Sequence, residues 1–335
     1  MCSSDLVAKR AGVSSATVSR VLAGRVPVAA ETRARVLEAV EQLHYRPNEV
    51  ARSLRVGRGR AVALVAGDIE QGVYAALAKH LQSELEAIGL DLLLFNLGHR
   101  EDRLHHLLER APSLGLRGIL LSSPHVMDMA ELMPVMQAAT DSGIEILSVS
   151  QDLSTFGIAS IVHDEAGGAA AAVEHLVEGS RLPVAFVGRI ETSAIGRARF
   201  SGYRDALRAC GQAFDPALVW DISEGYRADA GYQVVSDALA RGLSFRAILA
   251  ASDELALGSM AAVADRDLSV PRDIAIVGFG DLAWGGFSRP SMTTVSLDTV
   301  AVARAVGEVF KEQGGDPTAL ERRVIPTRLV MRQSA

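Results

Sequence analysis

At 335 residues the chain exceeds the roughly 250–300 residues at which a single hydrophobic core stops growing, so more than one core is expected. Apolar residues at 49% and charged residues at 22% exclude wholesale disorder, and only 5% aromatics leave a mainly aliphatic core. Cys2 and Cys210 cannot build a disulfide framework, no apolar run reaches the ~18 residues of a membrane span, and the first residues show no basic-then-apolar export signal. A cytoplasmic protein with no membrane partner is expected.

The net charge of −6 hides an asymmetry. Residues 1–60 hold 11 of the 34 basic side chains but 5 of the 40 acidic ones, which makes this segment +6 and the rest −12. A basic head on an acidic body is the distribution expected of a nucleic-acid-binding module fused to something else.

In chain order, residues 5–11 read as a short helix with Leu6, Val7, Ala8 and Ala11 inward, ended by Gly12. Ser14 is a good N-cap for a second helix from Ser15 to Ala23, which turns Val18, Val21 and Leu22 inward and leaves Ser15, Ala16, Ser19 and Arg20 outward. A third helix, about 30–43, buries Val36, Leu37, Val40 and Leu43. Helix, glycine turn and helix within about twenty residues is the helix-turn-helix pattern. After Pro47, the apolar residues Val50, Ala51 and Leu54 share one face of a segment too short to be a stable helix alone.

From residue 61 short aliphatic strands alternate with amphipathic helices. Strands are expected at 61–66, 91–95, 118–122, 145–149, 183–187, 247–251 and 273–277. Helices are expected at 73–88, 101–111, 129–142, 165–178, 197–211, 227–241 and 254–264. This alternation implies two doubly wound parallel-sheet lobes, with a ligand crevice at the strands' carboxyl ends. The fold class is thus an all-α head followed by an α/β body.

The run Val7-Ala8-Lys9-Arg10-Ala11-Gly12-Val13-Ser14-Ser15-Ala16-Thr17-Val18-Ser19-Arg20-Val21-Leu22, with Glu31-Thr32-Arg33, Tyr45-Arg46-Pro47-Asn48 and Ala51-Arg52-Ser53-Leu54, resembles the DNA-binding head of the lactose-repressor (LacI/GalR) family. The body resembles that family's periplasmic-binding-protein-like effector domain through Val184-Ala185-Phe186-Val187-Gly188, Arg199-Phe200-Ser201-Gly202-Tyr203 and Asp253-Glu254-Leu255-Ala256-Leu257-Gly258, and on to Ile325-Pro326-Thr327. The resemblance covers essentially the whole chain. It implies a homodimeric transcriptional regulator, most often a repressor, that binds double-stranded operator DNA under control of a small-molecule effector such as a sugar, without metal or cofactor.

It further implies a head at 1–46, a hinge helix and linker at 47–60, and an effector and dimerisation domain at 61–335. The N-lobe would take about 61–159 and 291–322, and the C-lobe about 160–290 and 323–332. Ser15, Ala16 and Arg20 fall on the family's base-reading positions, where Arg20 can grip a guanine edge with two hydrogen bonds. Thr17, Ser19 and Arg33 suit phosphates; Asn48 and Arg52 lie in the hinge, and Leu54 falls on the leucine that wedges into the minor groove. The opening residues depart from the family: Ser4 and Leu6 stand where an apolar residue and an aspartate are usual. Cys2-Ser3-Ser4-Asp5-Leu6 is also what a sequencing-adapter end encodes, so residues 1–6 are read as a foreign start that weakens the first helix.

For the effector, the resemblance implies Gln71, Val73, Tyr74, Ser123, Ser150, Arg199, Tyr226, Ser252, Asp253 and Asp281. Three polar positions differ from the family pattern, at Ser150, Ser252 and Gly280. With those groups gone Arg199 would stand uncompensated, favouring an anionic or less hydroxylated effector. Asp253 and Asp281 also fit helix caps or inter-lobe hydrogen bonds.

Other signals lead nowhere. Gly278-Phe279-Gly280-Asp281-Leu282-Ala283 mimics a dinucleotide fingerprint, yet glycines and Pro290 break any helix after it. His105 and His106 are adjacent, so on a helix they should point apart and make a poor metal pair. Two other classes remain as alternatives: a periplasmic-type solute-binding protein without DNA function, and a sugar-handling enzyme, for which no nucleophile or acid–base pair stands out.

Overall fold

The computed structural model describes residues 4–23, 28–45, 59–98, 100–222, 225–311 and 321–335. The chain divides into two compact units, residues 1–59 and 60–335.

In the first unit, α1 (Ser4–Ala11), α2 (Ser15–Ala23) and α3 (Ala30–Gln42) pack Val7, Ala8, Ala11, Val18, Val21, Val36 and Ala39 into a small core. Gly12 turns the chain at φ 65°, and Ser14 Oγ accepts from the Thr17 amide at 3.2 Å to cap α2. Two expected core residues are surface residues instead. Leu6 is 48% and Leu37 47% exposed. A core this small takes only a narrow stripe of α3, through Val36 and Ala39, which leaves Leu37 facing outward. Despite its unusual opening α1 forms from Ser4, where Asp5 meets the helix's positive end. The hinge expected at 47–54 lies outside the described residues.

The second unit begins with β1 (Ala61–Ala66), whose alternation is plain: Val62 and Leu64 enter one core, Ala63 and Val65 the other. There follow α4 (Gly72–Glu86), β2 (Asp91–Asn96), α5 (Glu101–Arg110), β3 (Leu116–Ser122), α6 (Met129–Asp141), β4 (Glu145–Ser148) and β5 (Ala159–His163). The chain then enters the C-lobe through α7 (Glu165–Glu178), β6 (Val184–Gly188), α8 (Ala194–Ala209) and β7 (Val219–Asp221). That lobe continues with α9 (Ala228–Ala240), β8 (Ala247–Ala250), α10 (Asp253–Ala264), β9 (Ala275–Gly280) and β10 (Thr293–Ser296). Last come α11 (Thr299–Lys311), β11 (Arg322–Ile325) and β12 (Arg328–Val330).

Two six-stranded sheets result, ordered β11-β5-β4-β3-β1-β2 and β12-β10-β9-β8-β6-β7. Every described pairing is parallel except β10 with β12. Each N-lobe face has its own aliphatic core, and the C-lobe has one larger core.

The lobe boundaries fall later than expected. β5 pairs with β4, which carries the N-lobe through His163 rather than to 159. β10 pairs with β9, which places 293–296 in the C-lobe rather than in a second N-lobe stretch starting at 291. β11 pairs with β5, so 323–325 stay in the N-lobe. Backbone pairing, not sequence motif, decides each case. The chain crosses at 163–165, 296–299 and 325–328, and the first and third crossings are stitched together: the Asp164 amide donates to Ile325 O at 2.9 Å, and Thr327 Oγ1 to Asp164 O at 3.0 Å. His125 of the N-lobe and Ser193 of the C-lobe form an isolated antiparallel bridge. It is flanked by Val126 N donating to Thr192 O at 3.2 Å and Ala194 N to Pro124 O at 2.9 Å. Among the described residues no helix is long and apolar enough to cross a membrane.

Candidate functional site

The head presents α2 to solvent. Ala16, Ser19 and Arg20 are exposed on it, as is Arg33 on α3, and neither guanidinium has a hydrogen bond or ion pair among the described residues. Ser15 and Thr17 are half-buried and engaged within the head. Ser15 Oγ donates to Asp5 Oδ1 at 2.8 Å, and the Thr17 and Ser14 hydroxyls lie 3.0 Å apart. Ser15 therefore does not stand freely outward as expected, because Asp5 captures its hydroxyl. Asn48, Arg52 and Leu54 lie outside the described residues.

Between the lobes of the body lies a cavity with about 70 Å³ of free space. Of the ten expected effector residues, Gln71, Val73, Tyr74, Ser150, Arg199, Tyr226 and Ser252 line it. The other three do not. Ser123 lines a neighbouring cavity of about 280 Å³ with Leu97, Arg100, His125, Glu191 and Thr192. Asp253 is fully buried: its carboxylate accepts from the Leu282 amide at 2.7 Å and from Thr294 Oγ1 at 2.5 Å, tying together the segments after β9 and within β10. Asp281 is drawn away by Arg332, whose Nη2 lies 2.6 Å from its carboxylate.

Helix starts position much of the lining. Gln71 precedes α4, and Tyr74 points inward from its first turn. Ser252 caps α10, with Oγ accepting from Leu255 N at 3.1 Å. Ser193 caps α8 through Gly196 N at 3.0 Å and also holds the Tyr226 hydroxyl at 3.0 Å. Burial raises the pKa of both Tyr74 and Tyr226, so the two phenols stay protonated as hydrogen-bond groups. Across the lobes, Glu254 accepts from the Gly72 amide at 3.1 Å.

Arg199 is not uncompensated. Its Nε lies 2.7 Å from Glu165 Oε2, its Nη1 donates to Ala251 O, and its guanidinium lies over the Phe279 ring at 3.8 Å. Burial is the largest influence and opposes the charge, but Glu165 together with the Tyr226 and Tyr74 phenols outweighs it and holds the pKa above its usual value. The case for an anionic effector therefore cannot rest on Arg199. Glu165, His163, Phe279, Glu254, Leu282 and Thr299 line the cavity without having been expected there.

Four buried side-chain atoms among the described residues lack a hydrogen-bond partner: Gln71 Nε2, His163 Nε2, Arg189 Nη1 and Glu145 Oε2. Gln71 and His163 line the cavity; Arg189 does not, although its charge acts on the Tyr74 phenol in the lining. Burial lowers the pKa of His163, which leaves a neutral ring whose Asp298 backbone contact favours Nε2 as an open acceptor. On α5, the two adjacent histidines do converge on one group: His105 Nδ1 and His106 Nδ1 lie 3.7 and 3.4 Å from the Glu109 carboxylate. Their rings stand at 89°, so both reach the same carboxylate although they diverge at Cα.

Comparison with known proteins agrees with this architecture. Residues 5–48 match the model of bacterial regulatory proteins of the lacI family, and residues 173–335 match a periplasmic binding protein-like domain. The chain is similar to catabolite control protein A of Priestia megaterium, 30% identical over 333 residues and covering 98% of this chain and 97% of that one. It is also similar to the HTH-type transcriptional regulator AscG of Escherichia coli K12, 30% identical with 92% of each covered. Among solved structures, the Lac repressor dimer bound to operator and the anti-inducer ONPF superposes with a TM-score of 0.88 at 24% identity, covering 99% of this chain and 98% of that one. A helix-turn-helix head matched by its own family model speaks against the transport alternative. The chain belongs to the lacI family of bacterial regulatory proteins, as a DNA-binding transcriptional regulator with a periplasmic-binding-protein-like body.

Proposed function

We propose that this regulator acts in the cytoplasm as a homodimeric repressor whose operator affinity is set by a small metabolite held between the lobes of the body. It has no enzymatic role in this reading. The observation that carries it is the pair of unmatched polar atoms, Gln71 Nε2 and His163 Nε2, in the lining of an inter-lobe cavity, in a chain that also has a helix-turn-helix head. Buried polar groups without partners cost about 1–3 kcal/mol each, so a site that keeps two is shaped for a guest that satisfies them. A cavity of about 70 Å³ is far below the roughly 300 Å³ or more of typical small-molecule sites, so ligand entry requires the lobes to part.

On the DNA side, Ala16 and Arg20 read base edges, Thr17, Ser19 and Arg33 contact phosphates, and Ser15 contributes only after release from Asp5. A two-fold dimer sets two such helices about 34 Å apart on successive major grooves. The hinge residues Asn48, Arg52 and Leu54 complete the contact. A change in lobe angle moves the two Arg60 ends of the dimer relative to each other, so ligand and DNA share one coupling free energy. Selection from a randomised duplex pool tests this. A pseudo-palindromic site bound more weakly as salt rises is expected, and no salt-sensitive duplex preference would overturn it. Leu54→Ala should weaken operator binding and leave ligand-induced stabilisation of the body unchanged.

A further inference from the structure

Just after β6 stands a cation, Arg189, that none of the described residues neutralises by contact. Arg189 is 4% exposed. Its Nε and Nη2 both donate to Thr192 Oγ1, at 3.2 and 2.9 Å, and its Nη1 is buried without a partner. Among the described residues no carboxylate lies within ion-pair distance of it. An isolated buried guanidinium costs several kcal/mol, which a fold tolerates when a guest supplies the counter-charge.

Its position fits that role. The carboxyl end of a parallel strand is where doubly wound sheets bind ligands. Its charge acts on the phenols of both Tyr74 and Tyr226, which line the smaller cavity, while its partner Thr192 lines the larger one. Arg189 is in the lining of neither, but its carbonyl and the Tyr226 hydroxyl both pack on Gly196, and its hydrogen-bond partner Thr192 faces the larger one. Arg199, by contrast, already has Glu165 as its counter-ion. The other two unmatched groups of the cleft are a donor, Gln71 Nε2, and His163 Nε2, an acceptor when the neutral ring carries its proton on Nδ1.

We propose that the effector is a small hydroxylated acid whose anionic group is bound by Arg189 and whose hydroxyl is received by His163. This rests on the effector reading above and names the ligand class for that site. Arg189 and Gln71 both donate, so the acidic end carries acceptors only, as a carboxylate or a phosphate does. A hydroxyl can donate to His163 Nε2, which a neutral imidazole with its proton on Nδ1 accepts. The Glu165–Arg199 pair between them offers dipoles but no net charge.

The test uses the full-length chain and three matched panels: aldonates and uronates of five and six carbons, the corresponding sugar phosphates, and the neutral parent aldoses. Calorimetry and thermal shift are read for the wild type, Arg189→Gln and Arg189→Met. At least one acid is expected to bind about tenfold or more tightly than its neutral parent, and the two acid panels tell carboxylate from phosphate. Arg189→Gln should weaken that acid about ten- to a hundredfold and leave neutral sugars unaffected. Without ligand, Arg189→Met should melt at or above the wild-type temperature, because an uncompensated charge has gone. A lower melting temperature would make Arg189 a structural cation and overturn the proposal. So would acid binding that survives Arg189→Gln, or acids that bind no better than their parents. If neutral sugars bind and alter operator affinity, the effector reading stands while this class assignment falls; if no panel member binds, both fall.

Discussion

Glu165 at the start of α7 and Arg199 in α8 meet at 2.7 Å with both side chains 8% exposed, so the two helices of the C-lobe are joined by an ion pair in the wall of the inter-lobe cavity. Each charge is tolerable there only because of the other. Glu165→Gln should therefore lower stability by about 3–5 kcal/mol, whereas the double variant Glu165→Gln with Arg199→Met should recover a large part of the loss. Urea denaturation of both variants checks this, and additive losses would refute the coupling.

Asp253 gives a pH signature. Burial pushes its pKa up to about 6 from 3.8, against the hydrogen bonds from Thr294 and Leu282 that favour the carboxylate. Because the folded state binds this proton more tightly than the unfolded chain, the contribution is largest below about pH 4 and is lost as pH rises to 6. The loss amounts to about 3 kcal/mol. Melting curves from pH 4 to 7 should show this fall in the wild type, and Asp253→Asn should lack it.

Arg20 is the exposed cation of α2 with no partner inside the head among the described residues. Arg20→Ala should cost about 1–3 kcal/mol against the selected duplex and relax preference at one base pair of each half-site. Arg33→Ala should weaken all duplexes alike and reduce the salt slope by about one. Fluorescence anisotropy on cognate and single-mismatch duplexes separates the two.

Gly202 allows α8 to lie against the start of α7: an added Cβ would stand 2.1 Å from Ala166 O. Neither group is a flexible side-chain tip, so Gly202→Ala must push backbone apart. A loss of about 2 kcal/mol or more is expected in chemical denaturation, with some loss of the Glu165–Arg199 contact.

The alternation of strands and helices was legible because aliphatic runs such as Ala247–Ala250 are bounded by clear helix starts. What escaped were the short strands β5, β7, β10, β11 and β12 and the helix α11. The valines of α11, Val300, Val302, Val306 and Val309, read as strand formers, and only packing against α4 and β1 selects the helix. In the head, a polar-outward pattern identified α2 but could not show that Asp5, ten residues earlier, would hold Ser15. Glu165 looked like an ordinary acidic residue after the cap Asp164, and nothing local marks a partner 34 positions away. Arg189 followed the recognisable Val184–Gly188 strand and drew no attention, since missing counter-ions are visible only in three dimensions.

The bridge at His125 and Ser193 has a kinetic consequence. Pro124 and Ile195 wall the smaller cavity, while His125 and Thr192 wall the larger, so this clasp runs between the two chambers. Under the proposed effector reading, a guest that reached across both would arrive and depart only as the clasp opens. In the proposed reading, the residence time of such a guest would depend on two backbone hydrogen bonds, Val126 N to Thr192 O and Ala194 N to Pro124 O.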